Sequence, residues 1–434
     1  MNLKKVKNGN LLGLMILSFL VLSCLSPFII INAEENGSES TKNFGGISVI
    51  LMIGDGMGHE HVKLGRWVEV GINGHLNIDQ LPFRLNVTTY SADGSVTDSA
   101  AAGTALATGN KTENQLISIS PTNQTFQTIL EIAKTNLMKS VGVVTTDSLT
   151  GGTPATFMSH SLSRYNEAGI AKQIAEEQDI DVLLGGGKTY FNSYLETFET
   201  KGYTIVENKT ELESINSGKV LGLFSFAGMP EEYARDRTLT PSLAEMTSKA
   251  IELLSQNPNG FFLMVEGAQI DWASHSNDKE YAALEMIEFD KAVAVAKQYA
   301  ESSGDTLLIV TADHETGGLS VISENMTSSL PSSSNTAEEN EELRLNRVGD
   351  ITVQWSTTGH TNTSVPFYGY GASFEDSVNT SIIDNTEIFT LMKSYFIAGS
   401  QSVSGFMVFP LIMVIAVLIP IQVLKRKRRL QKQN

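Results

Sequence analysis

ISVILMIGDGMG, residues Ile47 to Gly58, opens as an apolar run broken only by Ser48 and stops on an aspartate held between two glycines. Eight residues without polar alternation, rich in β-branched side chains, read as a strand buried on both faces from Ile47 to Gly54. The pattern returns in SVGVVTT from Ser140, FFLMVEG from Phe261 and DTLLIVTAD from Asp305. Between these runs, TFQTILEIAKTNL (Thr125 to Leu137), LAEMTSKAIELLSQ (Leu243 to Gln256) and KEYAALEMIEFDKAVAVAKQYAES place apolar residues at helical spacing. Strands alternating with helices imply an α/β fold whose parallel sheet is covered on both faces. There is no internal repeat. The polar, low-complexity stretch Ser323 to Glu342 is expected to be a surface insertion or lid outside the sheet.

Three of the four strands run straight into acids or histidines. IGDGMG presents Asp55, VEGAQIDWASH presents Glu266, Asp271 and His275, and TADHETGG presents Asp313 beside His314. Open α/β sheets bind ligands beyond the carboxyl ends of their strands. Each piece alone is ordinary, since an aspartate after a strand is more often a helix cap or turn residue. Asp271 and His275 are four apart and on a helix would share one face, able to grip one ion or to form a plain surface pair. Together the motifs supply four carboxylates and two histidines at strand ends. Burying that much negative charge is prohibitive without cations between the groups, so a shared multi-metal centre is the economical reading. His360, in the loop STTGHTNTSV, reads on its own as a surface histidine, and His160 in TPATFMSHSLSR as a packing residue.

TDSAAAGTALATG, Thr97 to Gly109, sets Ser99 between an aspartate and a run of small residues. If that run is a helix, Ser99 stands at its start, where free N–H groups favour an anion. No Gly-x-Ser-x-Gly elbow surrounds it, which argues against an acyl-transfer triad. A metal-activated serine beside an anion site points to phosphoryl transfer. Such a site also wants a guanidinium, and Arg164 in SHSLSRYN is a candidate.

TDSAAAGTA, IGDGMG, TPA…SHSLSR, VEGAQID…H, TADHETGG and a late GH resemble, in order and separation, the motifs of the alkaline phosphatases, over roughly Ile47 to Phe396. The resemblance implies a three-layer α/β/α sandwich with a mostly parallel central sheet, two Zn2+ and one Mg2+, and hydrolysis of phosphate monoesters through a phosphoserine. By motif, Asp271, His275 and His360 correspond to the ligands of the first zinc, and Asp55, Asp313, His314 and the Ser99 oxygen to those of the second. Asp55 also resembles the bridge to a magnesium ion, which Thr153 and Glu266 would complete. Arg164 matches the phosphate-clamping arginine, and Asp98 the residue that helps orient the nucleophile. One departure stands out: Gly151 takes the place where relatives commonly carry an aspartate or histidine near the third metal, while Trp272 matches a tryptophan of many members. The outer surroundings of the third site, and its choice of ion, are thereby open. A superfamily phosphodiesterase/pyrophosphatase or a sulfatase is the alternative, though the former typically carries threonine and the latter a modified cysteine or serine. A binding or structural protein retaining the fold is expected to have lost a ligand, and every position is present.

The ends of the chain read as targeting. Lys4, Lys5 and Lys7 precede an apolar block from Leu11 to Ile31 and a small-residue site at Ala33, so residues 1–33 are expected to be a signal peptide, an uncleaved anchor or lipidation at Cys24 being the lesser readings. Residues 406–424 are apolar enough to cross about 30 Å of hydrocarbon as a transmembrane helix. The basic residues of 425–434 mark a cytoplasmic tail. Residues 34–400 would then be an extracytoplasmic catalytic domain on a single-pass cell-membrane protein. Between Ala33 and Leu424 stand 22 Lys and Arg against 48 acids, a balance of −26, which disfavours nucleic acid as a partner. Cys24 is the only cysteine, so no disulfide is expected in that domain. Sequons at Asn36, Asn86, Asn110, Asn123, Asn208, Asn325, Asn362 and Asn379 fit export weakly. By analogy with relatives, a homodimer is expected.

Overall fold

Each of the four apolar runs folds as a strand buried along its length, with Asp147 the one partly open position near the end of the second. The computed structural model describes residues 46–371 and 380–402. In chain order its strands are β1 (Ser48–Gly54), β2 (Phe83–Thr88), β3 (Ser140–Ser148), β4 (Val182–Gly186), β5 (Tyr203–Val206), β6 (Lys219–Leu223) and β7 (Phe261–Gly267). There follow β8 (Thr306–Thr311), β9 (Glu315–Thr316), β10 (Leu319–Glu324), β11 (Ile351–Trp355), β12 (His360–Thr361), β13 (Val365–Tyr370) and β14 (Ile382–Asp384). Ten of them make one sheet, in the order β14-β2-β13-β8-β1-β7-β3-β4-β6-β5. Only β13 runs against its neighbours β8 and β2.

Register is what matters for the site. Ile53 pairs with Glu266 and with Thr311, and Glu266 with Thr145. The carboxyl ends of β8, β1, β7 and β3 are therefore level at one edge, side by side. Every motif that follows those strands is delivered to the same place.

The helices that support this edge, numbered in chain order, are α1 (His59–Glu69), α2 (Ser99–Thr108), α3 (Gly152–Met158), α4 (Leu243–Leu254), α5 (Gln269–His275), α6 (Lys279–Ser303), α7 (Ala337–Gly349) and α8 (Asn385–Ser402). They fall into two packing groups: α1 and α4 against α6, and α3 and α8 against α2. Helices on both faces of the sheet give the three-layer α/β/α sandwich. The small residues of α2 have a packing reason, because all ten are buried. A Cβ on Gly103 would come within 2.7 Å of Thr156 Oγ1, so only glycine lets α2 and α3 approach this closely.

Two segments depart from the sequence reading. The helix expected over Thr125 to Leu137 begins only at Ile129, because the Thr128 hydroxyl accepts from the Glu131 amide at 3.1 Å and the Glu131 carboxylate accepts from the Thr128 amide at 2.9 Å. It then widens into a π turn over Ile132–Asn136. Within the polar stretch 323–342, Thr336 caps α7 through the same kind of box with Glu339. That helix and the β10–β11 hairpin bury Leu319, Val321, Val348 and Ile351 against Leu64 and Val68 of α1, forming a second, smaller core.

The expected signal peptide (1–33), span (406–424) and tail (425–434) lie outside the described residues, as do Cys24, Asn36 and Asn379. Among the described residues no helix is long and apolar enough to cross a membrane.

Candidate active site

Beyond the level strand ends, two groups of side chains come together, each with its donor atoms within 4.8 Å of one another: Asp271, His275 and His360 in one, Asp55, Asp313 and His314 in the other. In the first, His275 Nε2 lies 3.3 Å from Asp271 Oδ2 and 3.2 Å from His360 Nε2, which is 3.6 Å from Asp271 Oδ1. In the second, His314 Nε2 lies 3.4 Å from Asp55 Oδ1 and 3.3 Å from Asp313 Oδ2. The groups adjoin, since the His314 and His360 rings stack at 3.6 Å. Asp271 and His275 share one face of α5, as their spacing requires.

The far side of each imidazole fixes which nitrogen carries a lone pair inward. His275 Nδ1 donates to the Thr358 carbonyl at 2.5 Å and His360 Nδ1 to the Thr97 carbonyl at 2.8 Å. His314 Nδ1 donates to Thr316 Oγ1 at 3.2 Å, and that hydroxyl donates to Asp271 Oδ1 at 2.5 Å. With each ring neutral, all three Nε2 atoms would be lone pairs aimed at carboxylates and at each other, an arrangement that needs a proton or a metal ion between the groups. Orientation of a ligating histidine through its other nitrogen is how metal sites are built. Asp55 Oδ1 is buried with no hydrogen-bond partner, facing one of those lone pairs. Only a cation between them removes the repulsion. Two-histidine-one-carboxylate and one-histidine-two-carboxylate sets suit zinc.

Ser99 opens α2 and is almost fully buried; its hydroxyl donates to His314 Nε2 at 3.2 Å. Asp98 is the N-cap, with Oδ1 accepting from the Ala101 amide at 2.9 Å. Its Oδ2 accepts from Arg164 Nη1 at 3.2 Å and from the Gln115 amide at 3.0 Å, which pins the guanidinium beside the serine. A Cβ on Gly152 would lie 2.5 Å from Arg164 Nη2, so the arginine lies across the start of α3.

Thr153, the second residue of α3, stands among a further set of oxygens. Its hydroxyl is 3.3 Å from Asp55 Oδ2 and 3.4 Å from Asp313 Oδ2, and it also reaches Glu266. Glu266 Oε2 accepts in addition from the Thr145 hydroxyl. An all-oxygen set of Asp55, Thr153 and Glu266 suits a hard ion such as Mg2+.

Electrostatics tell the same story. Burial raises the Asp55 pKa well above the carboxylate range, and Asp313, Asp271 and Glu266 push it further. Burial likewise raises Glu266, with Asp147 adding to it, and raises Asp313, with Asp271 adding to it. Burial also works against ionisation of Asp271, yet the hydrogen bond from His275 and the charges of the three histidines hold it below its ordinary value. That hydrogen bond raises His275 to about 9. Burial and His360 lower His314. These shifts share one cause, several acids and imidazoles packed into one buried space.

All eleven residues singled out in the sequence are therefore brought to one cleft. The other histidines serve elsewhere. His61 ties the Gly58 amide to Ser274 and is held to about 4 by burial, His160 joins the Ser118 carbonyl to Glu131, and His59 faces Asn86. Sequence reasoning missed Thr316 and Asp147. Thr316 was findable inside TADHETGG, and Asp147 by the same test that found Asp55, an acid at the end of a central strand.

The family model for alkaline phosphatase matches residues 47–344. Alkaline phosphatase 4 of Bacillus subtilis is 41% identical over 63% of this chain and 62% of its own length. Alkaline phosphatase 3 of the same organism is 32% identical over 87% of this chain and 95% of its own. A solved histidine-to-aspartate variant of the alkaline phosphatase from the Antarctic bacterium TAB5, with Mg bound in its M3 site, is 32% identical and superposes with a TM-score of 0.68, covering 81% of this chain and 99% of that one.

Proposed function

This chain belongs to the alkaline phosphatase family and hydrolyses phosphate monoesters, and from that premise we propose that it does so through a phosphoserine formed at Ser99. The observation that carries the reading is that Ser99 Oγ donates at 3.2 Å to His314 Nε2, and that His314 belongs to one donor group and stacks on His360 of the other. Asp271, His275 and His360 would hold one zinc, and Asp55, Asp313 and His314, with the serine oxygen, the other. Asp55, Thr153 and Glu266 would hold magnesium. When bound, the zinc pair lowers the pKa of the serine hydroxyl and neutralises charge on the attacking and leaving oxygens of an in-line displacement.

The chain's own groups do the positioning. Asp98 fixes the first turn of α2, so the serine oxygen and the free amides of that turn face the same point, where an anion is favoured. Arg164 offers two more donors to the non-reacting phosphate oxygens, held in place by its contact with Asp98. Burial of Ser99 and His314 keeps bulk water from the bond being made.

The outer face of a cell membrane is the proposed location. It is supported by the apolar stretch 406–424 and the basic residues after it, with 34–400 as the catalytic domain. Assembly as a homodimer is proposed by family analogy alone.

The test is to mix metal-loaded protein with an aryl phosphate, quench, and map the phosphorylated peptide by mass spectrometry. Phosphate on the peptide bearing Ser99 is expected. Turnover with phosphate on no serine, or on another one, refutes the proposal.

A further inference from the structure

Gly151 sits two residues before Thr153, at the N-cap of α3. A Cβ built there would stand 2.0 Å from Asp147 Oδ2 and 2.7 Å from its Cγ. That is far inside contact distance, so no side chain at 151 is compatible with Asp147 where it lies. The two positions exclude one another: the space a residue 151 would fill is already taken by a carboxylate arriving from the end of β3.

That carboxylate is held rather than merely near. Its Oδ1 accepts from the Ser148 amide at 2.6 Å. The Asp147 amide donates to Thr145 Oγ1 at 2.8 Å, and the same hydroxyl donates to Glu266 Oε2, so one threonine fixes both acids relative to each other. From the side, a Cβ on Gly228 would lie 3.4 Å from Asp147 Oδ1 and 2.2 Å from the Trp272 ring, so this loop and the indole close over the group. A Cβ on Gly185 or Gly186 would lie 3.2 Å from the Asp147 carbonyl, which packs β4 against its backbone. The charge of Asp147 acts on Glu266, second only to burial. With Oδ1 committed to Ser148, Oδ2 is the oxygen on the Gly151 side, next to the start of the helix that carries Thr153.

We propose that Asp147 is a positioning residue for the third ion, supplying from β3 the outer carboxylate that a side chain at 151 would otherwise supply from α3. The inference rests on the reading that Asp55, Thr153 and Glu266 hold an ion of the Mg2+ class. Such an ion keeps several of its waters. The Asp147 carboxylate, tied to Glu266 through Thr145 and felt by it electrostatically, would order those waters and favour a hard, hydrated cation over a fully stripped one. Loss of an outer partner of this kind weakens metal affinity by about 10- to 100-fold.

The experiment titrates Mg2+ into the zinc-loaded full chain by calorimetry, with metal content measured in parallel. Asp147→Ala and Asp147→Asn are both expected to bind Mg2+ about 10- to 100-fold more weakly than wild type while retaining two zinc ions. Asp147→Asn keeps the volume and the Ser148 contact, and decides the matter if the alanine variant does not fold. Gly151→Asp alone is expected to lower the melting temperature through its clash with Asp147 Oδ2. The same substitution added to Asp147→Ala is expected to return Mg2+ affinity towards wild type. Wild-type protein that takes up no Mg2+ overturns the ligand reading together with this inference. Mg2+ binding by both Asp147 variants within twofold of wild type overturns the inference and leaves that reading standing. A double variant that binds no better than Asp147→Ala overturns the exchange between the two positions.

Discussion

Stripping divalent cations with EDTA should destabilise this protein, and by more at pH 8.5 than at pH 7. A ligand present at 100 times its dissociation constant stabilises the native state by about 2.7 kcal/mol, so two independent zinc sites contribute about 5 kcal/mol under those conditions. At roughly 2 °C per kcal/mol for a chain of this size, the melting temperature should fall by about 10 °C. The pH dependence follows from which protons replace the ions. Burial, then Asp147, raises Glu266 to about 8, and the Asp271 hydrogen bond raises His275 to about 9. A group with a raised folded pKa adds stability that is complete below its unfolded value and is lost as pH climbs through the folded value. Both groups therefore take stability away from the stripped protein between pH 7 and 9. Asp271, depressed on balance by its histidines, and His314, lowered by burial, change only below that window. The loaded protein has no such loss, because the ions bind the deprotonated ligands. Glu285, which burial raises to about 8, accepts from the Glu232 amide rather than from any ligand residue and is common to both forms, so it cancels in the difference. Melting curves with zinc and magnesium or with EDTA, at pH 7 and 8.5, read the gap directly. Equal melting temperatures with and without ions, or a gap that narrows as pH rises, refute the reasoning.

Ser99→Ala should lower kcat by on the order of 10^4 or more and abolish the phosphorylated peptide, while zinc content stays at wild-type level; rate assays and metal analysis check this, and full turnover would exclude Ser99 as nucleophile. Arg164→Ala should raise the inhibition constant for inorganic phosphate by about 10- to 100-fold, the worth of charge-assisted hydrogen bonds, with little change in melting temperature. An unchanged constant counts against the clamp. Gly103→Val should destabilise the domain by about 1–3 kcal/mol, since its Cβ would meet Thr156 Oγ1 at 2.7 Å and force α2 from α3. Denaturant unfolding measures it, and because Ser99 rides on α2, kcat should fall as well.

The parallel core of the fold was legible because β1, β3, β7 and β8 are buried on both faces, and unbroken apolar runs are the one strand pattern that burial of this kind writes into a sequence. β13 belongs to the same sheet, but nothing in VPFYGY distinguishes an antiparallel strand from a parallel one. The β10–β11 pair is less plain, because Ser320 and Ser323 interrupt its apolar run and the apolar Ile322 faces solvent. At the site, Asp55, Glu266 and Asp313 declared themselves as charges where a buried strand ends. His360 did not: its role depends on β12 pairing with β9, which sets it beside His314 across 46 residues of chain, and only the family resemblance pointed to it. Arg164 was equally silent, since what selects it is the grip of Asp98, a contact between residues 66 apart. Thr316 carries no charge and lies beside louder neighbours, and nothing in the sequence around Asp147 shows that its carboxylate takes the room beside Gly151.

The residues that hold the phosphate and those that hold the ions make opposite demands, and their charges show how the cleft meets both. Asp55, Asp98, Asp147, Glu266, Asp271 and Asp313 share the cleft with one guanidinium, Arg164, giving a charge of −5 if every carboxylate is ionised. On a molecule that is already strongly acidic, such a cleft would repel a phosphate dianion by several kcal/mol at the low effective dielectric of a buried site. Three divalent ions at the proposed positions add +6 and leave +1. The acids at the strand ends thus do not attract substrate. They would hold cations tightly enough to reverse the sign of the cleft, while Asp98 keeps Arg164 in place and Thr145 ties Glu266 to the end of β3. Phosphate affinity should therefore depend on ion loading far more steeply than on any single side chain, and the ion-free protein should reject phosphate despite an intact serine and arginine.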